Sequence, residues 1–196
     1  MSGVRLKLEH RVRPMAGLSS CGDAVVEAIA PDWHFIAVID ALGHGPEAED
    51  SARAAEAAIR ASAGSPLETV FAAVHRALSK RRGVVMGGLL AQAATFTFAG
   101  VGNVEIFSPT EVNRPVSMAG TLGGGAYRFR AFTLPMRSGQ RWVLASDGLN
   151  AREAGPLITQ LTTKPATTLA DTLMAKAGRD TDDVSLVVID VEGAAS

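Results

Sequence analysis

The chain has 196 residues, 47% of them hydrophobic and 20% charged, which supplies a sizeable core and excludes an intrinsically disordered chain. Nineteen basic residues face 20 acidic ones, so the net charge of −1 creates no global field for nucleic acid or an anionic membrane. Cys21 is the sole cysteine, which rules out an internal disulfide framework and a cysteine metal cluster and suits a reducing cytoplasm.

In chain order, residues 4–12 alternate Val4, Leu6 and Leu8 with Arg5, Lys7 and Glu9, the period of a half-buried strand. With Glu9 among arginines and no long apolar core, this start does not read as a secretory signal. Residues 24–30 predict a second strand and residues 35–39 a third, apolar on both faces, with Pro31-Asp32 turning between them. Pro46 opens a helix whose first turn carries Glu47, Glu49 and Asp50, and whose alanine-rich run ends at Gly64. Ser65-Pro66 starts another helix, with Leu67, Val70, Phe71, Val74 and Leu78 on one face.

Residues 83–104 carry no charge and follow Lys80-Arg81-Arg82, the length and flank of a membrane-spanning helix. The glycines at 83, 87, 88, 100 and 102, with polar Gln92, Thr95, Thr97 and Asn103, argue against such a helix, and strand formers begin at Thr95, so no membrane span is expected. Residues 93–99 and 104–107 predict a hairpin around Gly100-Val101-Gly102-Asn103. Further strands are expected at 112–119, 127–134 and 141–145, helices at 152–161 and 165–177, and a very apolar last strand at 184–191. With no linker or repeat, the chain reads as one domain over residues 1–196. Strands in adjacent runs with helices in pairs predict an α+β fold, an α/β/β/α sandwich of two mostly antiparallel sheets flanked by helices.

The acids carry the chemistry. Asp40 follows the 35–39 strand, Asp147 follows residues 142–146, and Asp182 with Asp183 precedes the last strand. Antiparallel pairing of that strand would gather Asp40, Asp147 and Asp182 at one rim of the sheet, with Asp23 joining from the start of the 24–30 strand. Clustered carboxylates resist ionising together unless a cation compensates, and hard oxygen donors suit Mg²⁺ or Mn²⁺. Taken singly, each aspartate is better explained by the turn preference of its side chain, and Asp32, Asp171 and Asp190 stay with that reading. Strand-end position combined with flanking glycines, in Asp40-Ala41-Leu42-Gly43-His44-Gly45 and Ser146-Asp147-Gly148, separates the others.

These segments resemble, in order, the metal-dependent PPM-type protein serine/threonine phosphatases, in their bacterial SpoIIE-like branch. Gly22-Asp23 is similar to the first acidic motif, and residues 38–45 to the Asp-Gly-x-Gly-x-Gly element. Ala99-Gly100-Val101-Gly102-Asn103 is similar to the central hairpin, Thr121-Leu122-Gly123 to a later loop, and Ala145-Ser146-Asp147-Gly148 and Asp182-Asp183-Val184-Ser185 to the last two motifs. The resemblance implies two Mn²⁺ or Mg²⁺ ions bridged by Asp40. The carbonyl of Ala41 would bind one ion, Asp147 and Asp182 the other, and Asp23 would act in or next to that shell. It implies attack by metal-bound hydroxide without a phosphoenzyme. It also implies phosphorylated regulatory partners, STAS-domain proteins of a stressosome, with no nucleic acid or membrane partner. Ala41 replaces the usual glycine, which would be penalised at positive φ. Asn103 stands where many relatives have aspartate, so no ligand is expected there.

No arginine matches a phosphate grip; Arg11 and Arg13 are candidates that read as solvated strand residues. His44 is a candidate general acid, weighed against a loop residue capping or packing beside the Pro46 helix. His10, His34 and His75 show no ligand spacing, and Cys21 has no partner base. Two alternatives stand beside the phosphatase. One is an ATP-binding regulatory kinase of the histidine-kinase ATPase superfamily, whose nucleotide box residues 40–45 loosely match without the expected upstream asparagine. The other is a phosphatase-fold binding module that has lost activity, for which Ala41 is the hint.

Overall fold

The computed structural model describes residues 5–111 and 114–193. The elements are β1 (Arg5–Arg13), β2 (Asp23–Ala30), β3 (Trp33–Ala41), α1 (Pro46–Ser62), α2 (Leu67–Ala77), β4 (Val84–Gln92) and β5 (Thr95–Val101). They continue with β6 (Glu105–Phe107), β7 (Ala131–Pro135), β8 (Arg141–Ala145), α3 (Ala151–Gln160), α4 (Ala166–Ala177) and β9 (Val184–Glu192). Two sheets form, one of order β1-β9-β8-β6 and one of order β2-β3-β4-β5-β7, with every neighbouring pair of strands antiparallel.

Three apolar layers hold the stack together. Phe35, Ala37 and Ile39 of β3 pack with Ala52, Phe71 and Val74 of α1 and α2. Ile36 and Val38, the alternate residues, point the other way and meet Trp142, Leu144 and Ile189 between the sheets. Val184, Leu186 and Val188 of β9 lie under Ile158, Leu169 and Leu173 of α3 and α4. Strands sandwiched this way are apolar on both faces, which is why β3 and β9 read as unbroken hydrophobic runs. The α/β/β/α expectation is borne out.

Several details differ from the sequence expectations. The segment 100–103 is no hairpin: β5 pairs with β4 and β7, whereas β6 pairs with β8 in the other sheet, so the chain crosses between layers there. The hairpin lies earlier, where Gln92 pairs with Thr95 across Ala93-Ala94. Val84–Gln92, for which no element was expected, is a central strand between β3 and β5. Of the strand expected at 112–119, Val112 and Asn113 lie outside the described residues, and 114–119 contributes only a bridge from Met118 to Val101. Pro115 removes a ladder donor there.

The strand expected at 127–134 shortens to β7 because Tyr127 and Phe129 leave the sheet to pack on α2. Phe129 sits edge-on to Phe71 at 5.4 Å, and Tyr127 lies 5.1 Å from His75. Asp190 is no turn residue. Its carboxylate takes two bonds, 2.5 and 2.6 Å, from buried Arg141, whose third nitrogen caps the carbonyls of Leu161, Thr162 and Lys164. That ion pair fastens the α3–α4 turn to the sheet. Among the described residues no helix is long and apolar enough to cross a membrane.

Ala93 and Ala94 both hold positive φ, 46° and 63°. A two-residue hairpin turn of this kind favours Asn-Gly, and alanine is strained in it. Replacing the pair by Asn-Gly (Ala93→Asn with Ala94→Gly) is expected to raise stability by about 0.5–1 kcal/mol, read from the urea unfolding midpoint.

Candidate metal centre

β2 and β3 are paired so that Asp23 stands opposite Asp40. Both share the parity of residues that face the layer between the sheets (Val25 on β2, Ile36 and Val38 on β3), so the two carboxylates point into the mouth of that layer. From the facing sheet, β8 ends and β9 begins at the same mouth, because the two run antiparallel. The loop after β8 comes so close to the start of β9 that a Cβ on Gly148 would overlap the Asp183 carbonyl. Glycine there lets Asp147 and Asp182 sit together. The four acids therefore converge, from two sheets and not from one rim of a single sheet.

Neighbouring charges identify the cluster. The Asp40 carboxyl is pushed up to about 9, by burial first and then by Asp23, Asp147 and Asp182, with Asp147 within hydrogen-bonding reach. Asp23 is 5% exposed and is raised to about 7 by burial; nearby Ser146 and Ser185 hydroxyls oppose the rise, and Asp183 and Asp182 add to it. Asp182 is raised by burial and then by Asp147, against the Asp183 N–H that donates to its Oδ1 at 3.0 Å and against Arg179. The Oδ2 of Asp23 is buried with no hydrogen-bond partner.

An orphaned carboxylate oxygen beside three more hard oxygen donors of like charge is a site that fits Mg²⁺ or Mn²⁺. Among the described residues, no three acidic, histidine or cysteine side chains meet closely enough to enclose an ion as they stand. The fit rests on the donor set and its charge.

The surrounding residues take definite roles. Ala41 is 2% exposed and ends β3 without positive φ, so alanine in place of glycine strains nothing. Asp183 is structural: it accepts from the backbone N–H groups of Met15 at 2.8 Å and Gly22 at 2.7 Å, pinning the strand-leading loop beside Asp23. Ser146 and Ser185 link the two strands, the Ser185 N–H donating to Ser146 Oγ at 3.0 Å.

Asn103, from which no ligand was expected, donates its side-chain amide to Asp147 Oδ2 at 2.6 Å. Only the crossover between sheets brings it there, and nothing local in the sequence signals the contact. Arg82 is the other residue that sequence reasoning missed. It reaches back from the turn before β4 to the Leu42 carbonyl at 3.4 Å and to Glu47 at 2.6 Å.

The remaining candidates stand apart. Arg11 pairs with Asp171 and Arg13 with Asp180, each at 2.7 Å, as strand residues tied to α4 and the loop that follows it. His44 is exposed in the turn, and α1 has no side-chain cap, so the expected capping role is not observed. His34 pairs with Glu27 at 2.8 Å, and His75 Nδ1 accepts from the Gly123 N–H at 3.1 Å. Burial pushes the Cys21 thiol up to about 12, which keeps it protonated and unreactive at neutral pH.

No protein-family model matches the chain. Phosphoserine phosphatase RsbX of Bacillus subtilis (strain 168) is 28% identical over 139 residues, 68% of this chain and 70% of that protein. A solved chain described with the bacterial stressosome, a modular system adapted to control secondary messenger signalling, superposes with a TM-score of 0.86 at 28% identity. That match covers 94% of this chain and 99% of the other. The crystal structure of RsbX in complex with magnesium gives a TM-score of 0.85 at 22% identity, covering 98% of this chain and 100% of RsbX.

Two measurements probe the centre without substrate. Saturating Mn²⁺ at about 100 times its dissociation constant is expected to stabilise the wild type by about 2.7 kcal/mol in thermal melts. Asp40→Asn, which removes one buried like charge, is expected to melt higher than wild type without metal and to gain little from Mn²⁺. Asn103→Ala frees Asp147 to rotate and is expected to weaken Mn²⁺ binding about tenfold in a calorimetric titration.

Proposed function

We infer that this chain, a PPM-type phosphatase domain similar to RsbX, is a divalent-metal-dependent protein serine/threonine phosphatase. The observation that carries the reading is the mouth between the sheets, where Asp23 and Asp40 face Asp147 and Asp182. Asp40, the Ala41 carbonyl, Asp147 and Asp182 would hold two Mn²⁺ or Mg²⁺ ions, with Asp23 beside them. When bound, the ions supply Lewis acidity toward a phosphoryl oxygen and a water acidified enough to act as nucleophile.

The chain's own residues do the rest. Asn103 keeps the Asp147 carboxylate in one orientation. Asp183 holds Gly22, and with it the start of β2, against the facing sheet. The packed floor under Asp23 keeps bulk water out from below. A phosphoserine or phosphothreonine presented at the mouth loses its phosphoryl group to water. The P–O bond to the side-chain oxygen breaks, that oxygen regains a proton, and no residue of the enzyme becomes phosphorylated.

The substrates proposed are phosphorylated regulatory proteins, STAS-domain components of a stressosome, in a bacterial cytoplasm. The one-domain reading over residues 1–196 goes with this. The two-sheet sandwich, shared with the phosphatase RsbX, speaks against the ATP-binding kinase alternative. Against an inactive binding module stands the retention of Asp40, Asp147 and Asp182 together with a buried, unpartnered Asp23 oxygen. Such a cluster costs stability unless cations compensate it.

Turnover of para-nitrophenyl phosphate and of a phosphoserine peptide, with and without Mn²⁺, tests the reading. Asp40→Asn and Asp147→Asn are each expected to lower Mn²⁺-dependent kcat/KM by about a thousandfold or more with an unchanged circular dichroism spectrum. Full activity in either folded variant would end the assignment.

A further inference from the structure

We propose that a cationic groove beside the metal centre binds an acidic stretch of the phosphoprotein next to its phosphorylated residue, with Arg82 setting that preference; the proposal rests on the phosphatase reading. The groove has a volume of about 640 Å³ and runs between the first turn of α1 and the turn that follows α2. Pro46, Glu47 and Asp50 line one side, and Lys80, Arg81 and Arg82 the other.

Its position ties it to the reaction. The Arg82 guanidinium donates to the carbonyl of Leu42, two residues beyond Asp40, at 3.4 Å, and occupies the space a Cβ on Gly43 would need. Gly43 also holds φ of 83°, so side chains are disfavoured there on both counts. The Leu42 N–H donates to the Gly83 carbonyl at 2.9 Å, which fastens the cationic turn to the loop that leaves Asp40. A chain whose phosphorylated residue enters the mouth between the sheets has this groove within reach of its flanking residues.

Chemistry on the page points to the occupant. Carboxylates already sit on the two arginines: Glu47 lies 2.6 Å from Arg82, and Asp50 pairs with Arg81. Both acids are mostly exposed, 76% and 62%, so these are weak surface pairs that another carboxylate displaces at little cost. Guanidinium groups match carboxylates in planar, two-pronged fashion, and Lys80 adds a third charge on the same side. The groove thus presents three cations against two exchangeable acids, in a chain whose net charge is −1.

Steady-state kinetics on two phosphoserine peptides, one flanked by glutamates and one by glutamines, test the proposal. The wild type is expected to favour the glutamate peptide about tenfold in kcat/KM, through KM, as two exposed ion pairs would give, and to lose most of that preference at about 0.5 M salt. Arg82→Gln is expected to bring the ratio of the two peptides near one and Lys80→Gln to lower it in part. Arg82→Lys should recover an intermediate ratio. A wild-type ratio near one, or an unchanged ratio in both glutamine variants, overturns the proposal. So does an equal loss of kcat on both peptides and on para-nitrophenyl phosphate, which would move Arg82 into the catalytic step.

If the wild type hydrolysed none of these substrates, the phosphatase reading would fall and the groove would be judged by binding alone. Fluorescence anisotropy of the labelled glutamate peptide should then show binding that Arg82→Gln weakens. Equal binding by the variant, or tighter binding of phosphatidylglycerol vesicles than of the peptide, counts against an acidic peptide as the occupant.

Discussion

Like charges held close in a half-buried place are what the rest of this structure is arranged around. Asp23 and Asp40 face each other across one strand pair while Asp147 and Asp182 approach from the opposite sheet, and burial and mutual repulsion raise Asp23, Asp40 and Asp182 together. Left alone, such a cluster works against folding. It persists because the scaffold is stiff and because divalent cations reward the same proximity that the carboxylates resist.

The stiffness comes from layering. Each sheet is covered by a helix pair on its outer face and by the other sheet on its inner face, so β3, β4, β8 and β9 are buried almost throughout. Loops at the mouth are fastened individually. Asp183 caps Met15 and Gly22, Ser146 and Ser185 tie β8 to β9, and the Leu42 N–H bonds to the Gly83 carbonyl. Asp182 and Asp183 are adjacent in the chain yet divide the labour. One faces the cluster, and the other accepts backbone hydrogen bonds that hold the cluster's walls.

Around the mouth, neutral and cationic groups settle how the carboxylates are presented. Asn103 offers Asp147 an N–H donor without adding a fifth negative charge. Arg81 and Arg82 carry positive charge on the turn before β4, balanced by exposed acids of α1.

The sequence alone determined most of the elements and the identity of the acids, because alternation, alanine-rich helical runs and glycine-flanked aspartates are local signals. It determined the layered class as well, since strands apolar on both faces have to be covered on both. What only the tertiary structure decided was pairing. Gly100-Val101-Gly102-Asn103 spells a turn whether the next strand folds back or crosses to another sheet, and a glycine-bearing segment such as Val84–Gln92 carries no local mark of being central. Asn103 on Asp147, Asp190 on Arg141 and Arg82 on Leu42 join residues 40 or more positions apart. Such contacts follow from which strands become neighbours, a choice made by the whole hydrophobic core and by no local stretch of chain.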